Sequence, residues 1–166
     1  MKNIWILGAL LLLLSSCQSE TKSRASTEPE ASLYDRMTGT WETTYLKVDV
    51  RSAENQPDSS YLFEVQEGEW ERIYRVKPYR TYFSPDSTFR TVHRGIPGDI
   101  MSEDRGLWNT FGDTLMLIQP TQTAQFKVAF RDGKAHFVGL VDFDNDGEAD
   151  DSYYAIRRFI GKHAYE

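Results

Sequence analysis

The chain has 166 residues, a formal charge of −6, 13% aromatic residues, three histidines and one cysteine. The negative balance argues against nucleic acid as a partner, and a single cysteine excludes an internal disulfide framework. His93, His136 and His163 stand far apart and lack zinc-like spacing to the cysteine or to one another.

Lys2 supplies a positive start, and residues 4–14 form an eleven-residue apolar run that is short for a bilayer span. The run ends in Leu14-Ser15-Ser16-Cys17. This resembles the lipobox of bacterial lipoprotein signal peptides. The resemblance implies that residues 1–16 are a signal peptide and that Cys17 becomes an acylated, palmitate-type N-terminus. An ordinary secretory signal with an incidental cysteine is the alternative. Two or more acyl chains hold a domain to a membrane far more firmly than one. Gln18 stands where the common inner-membrane retention signal has Asp, so the resemblance implies the bacterial outer membrane. It leaves the periplasmic or surface face open. Residues 18–31 contain no aromatic or branched aliphatic side chain, so with Cys17 they read as a flexible tether (17–31). About 135 residues, 32–166, then form one domain with a single core.

Within that domain, residues 31–37 suit a short helical turn. From Thr40 onward, aromatic and β-branched residues alternate with polar ones between frequent turn signals, which is a β pattern. Strands are expected at 41–50, 61–66, 70–77, 79–83 and 89–94. A loop, IPGDIMSED, follows before strands at 106–111, 114–119, 125–131, 135–141 and 152–160. Pro85 pre-sets one turn, Gly112-Asp113 makes another, and Asp132-Gly133 is the strongest hairpin signal because glycine tolerates positive φ. The expected fold is all-β: an antiparallel up-and-down meander of about 8–9 strands closing into a barrel, since closure removes exposed edges. A two-sheet sandwich is the alternative.

Met37-Thr38-Gly39-Thr40-Trp41 resembles the opening of a lipocalin or calycin barrel, where a short helix leads into Gly-x-Trp on the first strand. The whole domain also resembles the lipocalin-like lipoproteins of Bacteroidetes-type bacteria, through this motif, Gly112-Asp113-Thr114-Leu115 and a late DxDxDG loop. The resemblance implies structural roles for Gly39 and Trp41. It also implies that an arginine of the last strand, Arg157 or Arg158, packs across Trp41 at the closed end. A guanidinium over an indole contributes about 0.5–2 kcal/mol depending on burial.

Residues 142–151, DFDNDGEADD, hold six carboxylates. Asp142, Asp144 and Asp146 occupy loop positions one, three and five, Gly147 the turn position, Glu148 a place for a backbone carbonyl ligand, and Asp150 position nine. This spacing matches calcium-binding loops, with glycine permitting the sharp turn. Tyr153 stands where an EF-hand needs its bidentate Glu, and strands flank the loop, so it is not an EF-hand. Each close carboxylate pair costs on the order of 1 kcal/mol even in a solvent-like dielectric. A structural calcium ion with Kd roughly 0.1–1 mM would relieve that repulsion. A solvated acidic turn is the alternative.

Between Arg72 and Arg94 six basic side chains meet one acid, Asp86, among several aromatics. Arg72, Tyr74, Arg75, Arg80 and Tyr82 are candidates to enter the barrel mouth and hold an anionic headgroup. A solvated outer face is the competing reading, and the alternation favours it. Neither Gly-x-Ser-x-Gly nor a phosphate loop nor a dinucleotide fingerprint occurs, so no enzyme is expected. The expected function is binding of a small apolar or amphipathic ligand at the cell envelope. The alternative is a filled barrel that docks on another envelope protein or a glycan.

Overall fold

The computed structural model describes residues 31–52, 56 and 58–163. The expected signal peptide, Cys17 and the tether up to residue 30 lie outside the described residues. A five-residue helix, α1 (Leu33–Met37), opens the domain. Its N-cap is Ser32, whose hydroxyl oxygen accepts from the Asp35 backbone N–H. Nine strands and a one-turn helix follow: β1 (Gly39–Val50), β2 (Tyr61–Val65), α2 (Glu69–Arg72), β3 (Arg80–Phe83), β4 (Thr88–Arg94), β5 (Ile100–Phe111), β6 (Thr114–Ile118), β7 (Thr123–Arg131), β8 (Lys134–Val141) and β9 (Asp151–Gly161).

All strand pairs are antiparallel. From β3 to β9 each strand pairs with its sequence neighbour, and β9 pairs back on β1 along nearly its whole length, from Thr40↔Gly161 to Asp49↔Ser152. The other edge of β1 is shared. Its first residues pair with β3 and its last with β2. Eight strands therefore close the ring and β2 is an extra strand. Short connections make this topology the economical one, because each strand finds its partner nearby. At the Asp132-Gly133 turn both residues have positive φ, 50° and 72°, as a two-residue hairpin of matching twist requires.

Alternation sorts the wall into two faces. Phe126 and Val128 of β7, Ala135 and Phe137 of β8, and Tyr153 and Ala155 of β9 point inward and are buried. Burying side chains such as Phe83, Leu115 and Phe137 contributes about 1.5–3 kcal/mol each. Helix α1 stoppers one end. Tyr34 stacks on Trp108 with centroids 4.3 Å apart, and Met37 is fully buried. Trp41 sits beneath it and donates its indole N–H to the Met37 carbonyl at 2.8 Å. Gly39 has φ 127°, and a Cβ there would lie 2.6 Å from the Gly161 carbonyl oxygen, so the entry to β1 accepts only glycine.

Two expected elements differ. Residues 70–77 do not form a strand: Gly68 (φ 89°) and Arg75 (φ 58°) turn the backbone left-handed, α2 lies between them, and Val76 makes an isolated bridge to Gly95. Trp70 explains the override. It is buried at the seam between β2 and β3, edge-on to Tyr79 at 5.5 Å, with its N–H on the Thr44 carbonyl. The expected loop IPGDIMSED shortens as well, since Ile100–Asp104 begin β5 and pair with β4. Ile100, Met101 and Ser102 are exposed, so this stretch lacks the half-buried alternation that marks a strand.

Candidate functional site

At the end away from α1 the barrel interior holds a cavity of about 580 Å³. That lies within the span of small-molecule sites. The position follows from strand polarity: the β6–β7 and β8–β9 connections surround the mouth, while the α1–β1 entry and the β7–β8 turn lie at the other end. Its walls are apolar, with Phe89, Leu117, Phe126, Val141 and Phe143. Polar groups occupy two levels. His93, Asp104 and Asp142 stand toward the mouth, and Tyr79, Tyr153 and Arg157 lie deeper along β3, β9 and the segments that lead into them.

Arg157 is 5% exposed, yet it belongs to the cavity lining. Its Nη1 donates to the Thr81 hydroxyl at 3.3 Å and its Nη2 to the Tyr153 hydroxyl at 3.4 Å, both long bonds. Its Nε is buried without a hydrogen-bond partner. The guanidinium lies over the ring of Phe137, 4.4 Å from its centroid. Thr81 in turn bonds Thr91 at 2.9 Å, and Tyr153 bonds Tyr79 at 3.2 Å. Burial first, and then the neighbouring Tyr153, push the Tyr79 phenol far above its ordinary value. Tyr79 therefore stays neutral and brings no negative charge to Arg157. At the rim, His93 Nε2 and Asp104 Oδ2 are 3.1 Å apart, and the His93 ring tilts over Tyr79.

None of the five residues expected to hold a headgroup enters this cavity. Arg80 and Tyr82 take the outward parity of β3, since Thr81 and Phe83 fill the inward one. Arg80 instead pairs with Glu42 at 2.7 Å in an outer groove of about 340 Å³, where Arg158 holds the same carboxylate. Arg72 ends α2 and pairs with Glu69, Arg75 is exposed, and Tyr74, itself exposed, packs edge-on against Phe63. The expected stacking of Arg157 on Trp41 is replaced as well. Trp41 is buried, and its ring neighbours are Phe130 and Phe159, with Arg36 covering Phe130 at 3.6 Å. The parity Arg157 shares with Tyr153 and Ala155 on β9 is the signal that it points inward.

The acidic loop joins β8 to β9 at the cavity mouth. Carboxylate oxygens of Asp142, Asp144 and Asp146 all lie within 4.8 Å of one another, and Asp150 is not in that group. Asp142 accepts from the backbone N–H of Asp146 and Gly147, and Asp146 from that of Glu148. These are hard oxygen donors in a cluster that a calcium ion would fit. Asp151, 1% exposed, is not a ligand candidate here. It accepts from the backbone N–H of Arg51 at 3.2 Å and Phe143 at 2.8 Å, which pins the loop to the wall.

The fold and cavity together define a class: an eight-stranded antiparallel barrel, stoppered by a helix at one end and hollow toward the other, consistent with a lipocalin-like fold. No protein-family model matches the chain and no curated protein matches it, so the likeness rests on architecture alone.

Proposed function

We propose that this is a lipid-anchored envelope lipoprotein whose barrel holds a small apolar or amphipathic ligand, without catalysis. The observation that carries the reading is the cavity of about 580 Å³ with aromatic walls inside the closed sheet. A filled docking barrel, the other reading of the sequence, agrees less well with that volume. Native mass spectrometry of the full chain purified from its own membranes tests the proposal. A bound mass that organic extraction removes supports it. Apo mass alone, with no uptake of dansyl-undecanoic acid, overturns it.

The anchor and the cation are parts of the same proposal. Cys17 carries the acyl group and places the protein at the outer membrane. Labelling with an alkyne palmitate analogue should mark the wild type and not Cys17→Ser. Asp142, Asp144 and Asp146, with the Glu148 carbonyl and Asp150, hold a structural calcium ion that relieves carboxylate repulsion and stiffens the β8–β9 connection.

A further inference from the structure

A buried guanidinium needs compensation, because a charge taken from water is costly unless it is paired and fully hydrogen-bonded. Arg157 offers five N–H donors. Among the described residues they meet the hydroxyls of Thr81 and Tyr153 at 3.3 and 3.4 Å and the faces of Phe137 and, farther off at 5.8 Å, Tyr79; no carboxylate pairs with the guanidinium, and Nε has no hydrogen-bond partner. Of the described residues lining the cavity, it is the one lysine or arginine. The carboxylates of the lining, Asp104 and Asp142, stand at the mouth instead. The cavity is thus polarised, acidic at its rim and cationic at depth, with Phe89, Leu117 and Phe126 between.

We infer that the ligand is an amphipathic monocarboxylate that enters head first, its carboxylate on Arg157 and its apolar tail toward the mouth. This rests on the cavity reading above and adds the ligand's charge and orientation. A single guanidinium balances a single negative charge, and its planar fork matches a carboxylate's two oxygens. The hydroxyls of Tyr79 and Tyr153, which line the same cavity and bond each other at 3.2 Å, can donate to the same oxygens. A head-out pose would set the anion beside Asp104 and leave the buried donors of Arg157 unmet.

The test uses the full chain in nanodiscs, with empty nanodiscs as reference, titrated by fluorescence with dansyl-undecanoic acid and with its methyl ester. The acid should bind roughly 10- to 100-fold more tightly than the ester, the range of a charge-assisted hydrogen bond. Arg157→Met should bind both at the ester's affinity, and Arg157→Lys should keep part of the preference. Equal affinity of the wild type for acid and ester, or an acid preference that survives in Arg157→Met, overturns the inference while leaving the cavity reading intact. Failure of both probes to bind overturns the cavity reading with it. Should Arg157→Met not fold by circular dichroism, the acid-to-ester ratio of the wild type decides alone.

Discussion

Arg157 and Asp151 share the inward face of β9, and each holds a charge where water is scarce. They differ in how that charge is met. Asp151 accepts two backbone N–H bonds that join the end of β1 to the β8–β9 loop. Asp151→Ala would leave both donors unpaired and should cost about 2–3 kcal/mol in urea unfolding, whereas Asp151→Asn keeps an acceptor and should cost less. Gly39→Ala meets a carbonyl oxygen at 2.6 Å and a positive φ together, and should cost more than about 1 kcal/mol in the same measurement. Asp86 gives a pH signature. Hydrogen bonds from the side chains of Thr88 and Ser84, then from the Thr88 backbone, lower its carboxyl from 3.8 to about 2. A depressed carboxyl stabilises the fold above its ordinary value and loses that contribution as the pH falls through the folded one. Asp86→Asn should therefore lower the melting temperature at pH 7, and the gap to wild type should close between about 3.8 and about 2.

Among the elements, the β8–β9 connection is the one whose behaviour a cation would change. Its three clustered carboxylates repel, and Phe143 beside them packs on Phe63 of β2 at 5.4 Å. Calcium at millimolar concentration should raise the melting temperature over that in chelator, and Asp144→Asn with Asp146→Asn should abolish the difference; an unchanged midpoint and no calorimetric heat would remove the calcium reading. The strands from β6 to β9 were legible because one face of each is buried and the turns before β6, β8 and β9 carry Gly and Asp, while Pro120 marks the bend before β7. The stretch around α2 was not. Trp70, Tyr74 and Val76 alternate like a strand, but Trp70 is held by the seam in β1 pairing, a tertiary feature that local pattern does not encode. The start of β5 was missed for the opposite reason, being exposed on both faces. The site was half legible. The pattern on β9 marks Arg157 as special, but depth in the barrel decides its surroundings, whereas Arg80 and Tyr82 needed only their parity settled to be placed outside.

At the scale of the molecule, the fold is a ring with a hollow in one half and packed aromatics in the other. Filling the hollow separates binding from stability. Ala124 lines the cavity, so Ala124→Trp should abolish dansyl-undecanoic acid binding while keeping wild-type circular dichroism. Overpacking normally costs about 1–3 kcal/mol, and space at this position should spare most of that. The ring also has an assembly order written into it. The first long strand completes its bonding only against the last, so ring closure waits on the most distant residues of the domain. A non-local pairing of this kind slows folding, toward about milliseconds to seconds for all-β domains rather than microseconds. A nascent polypeptide cut short before Asp151 would present two raw sheet edges at once, ready to add strands from its neighbours.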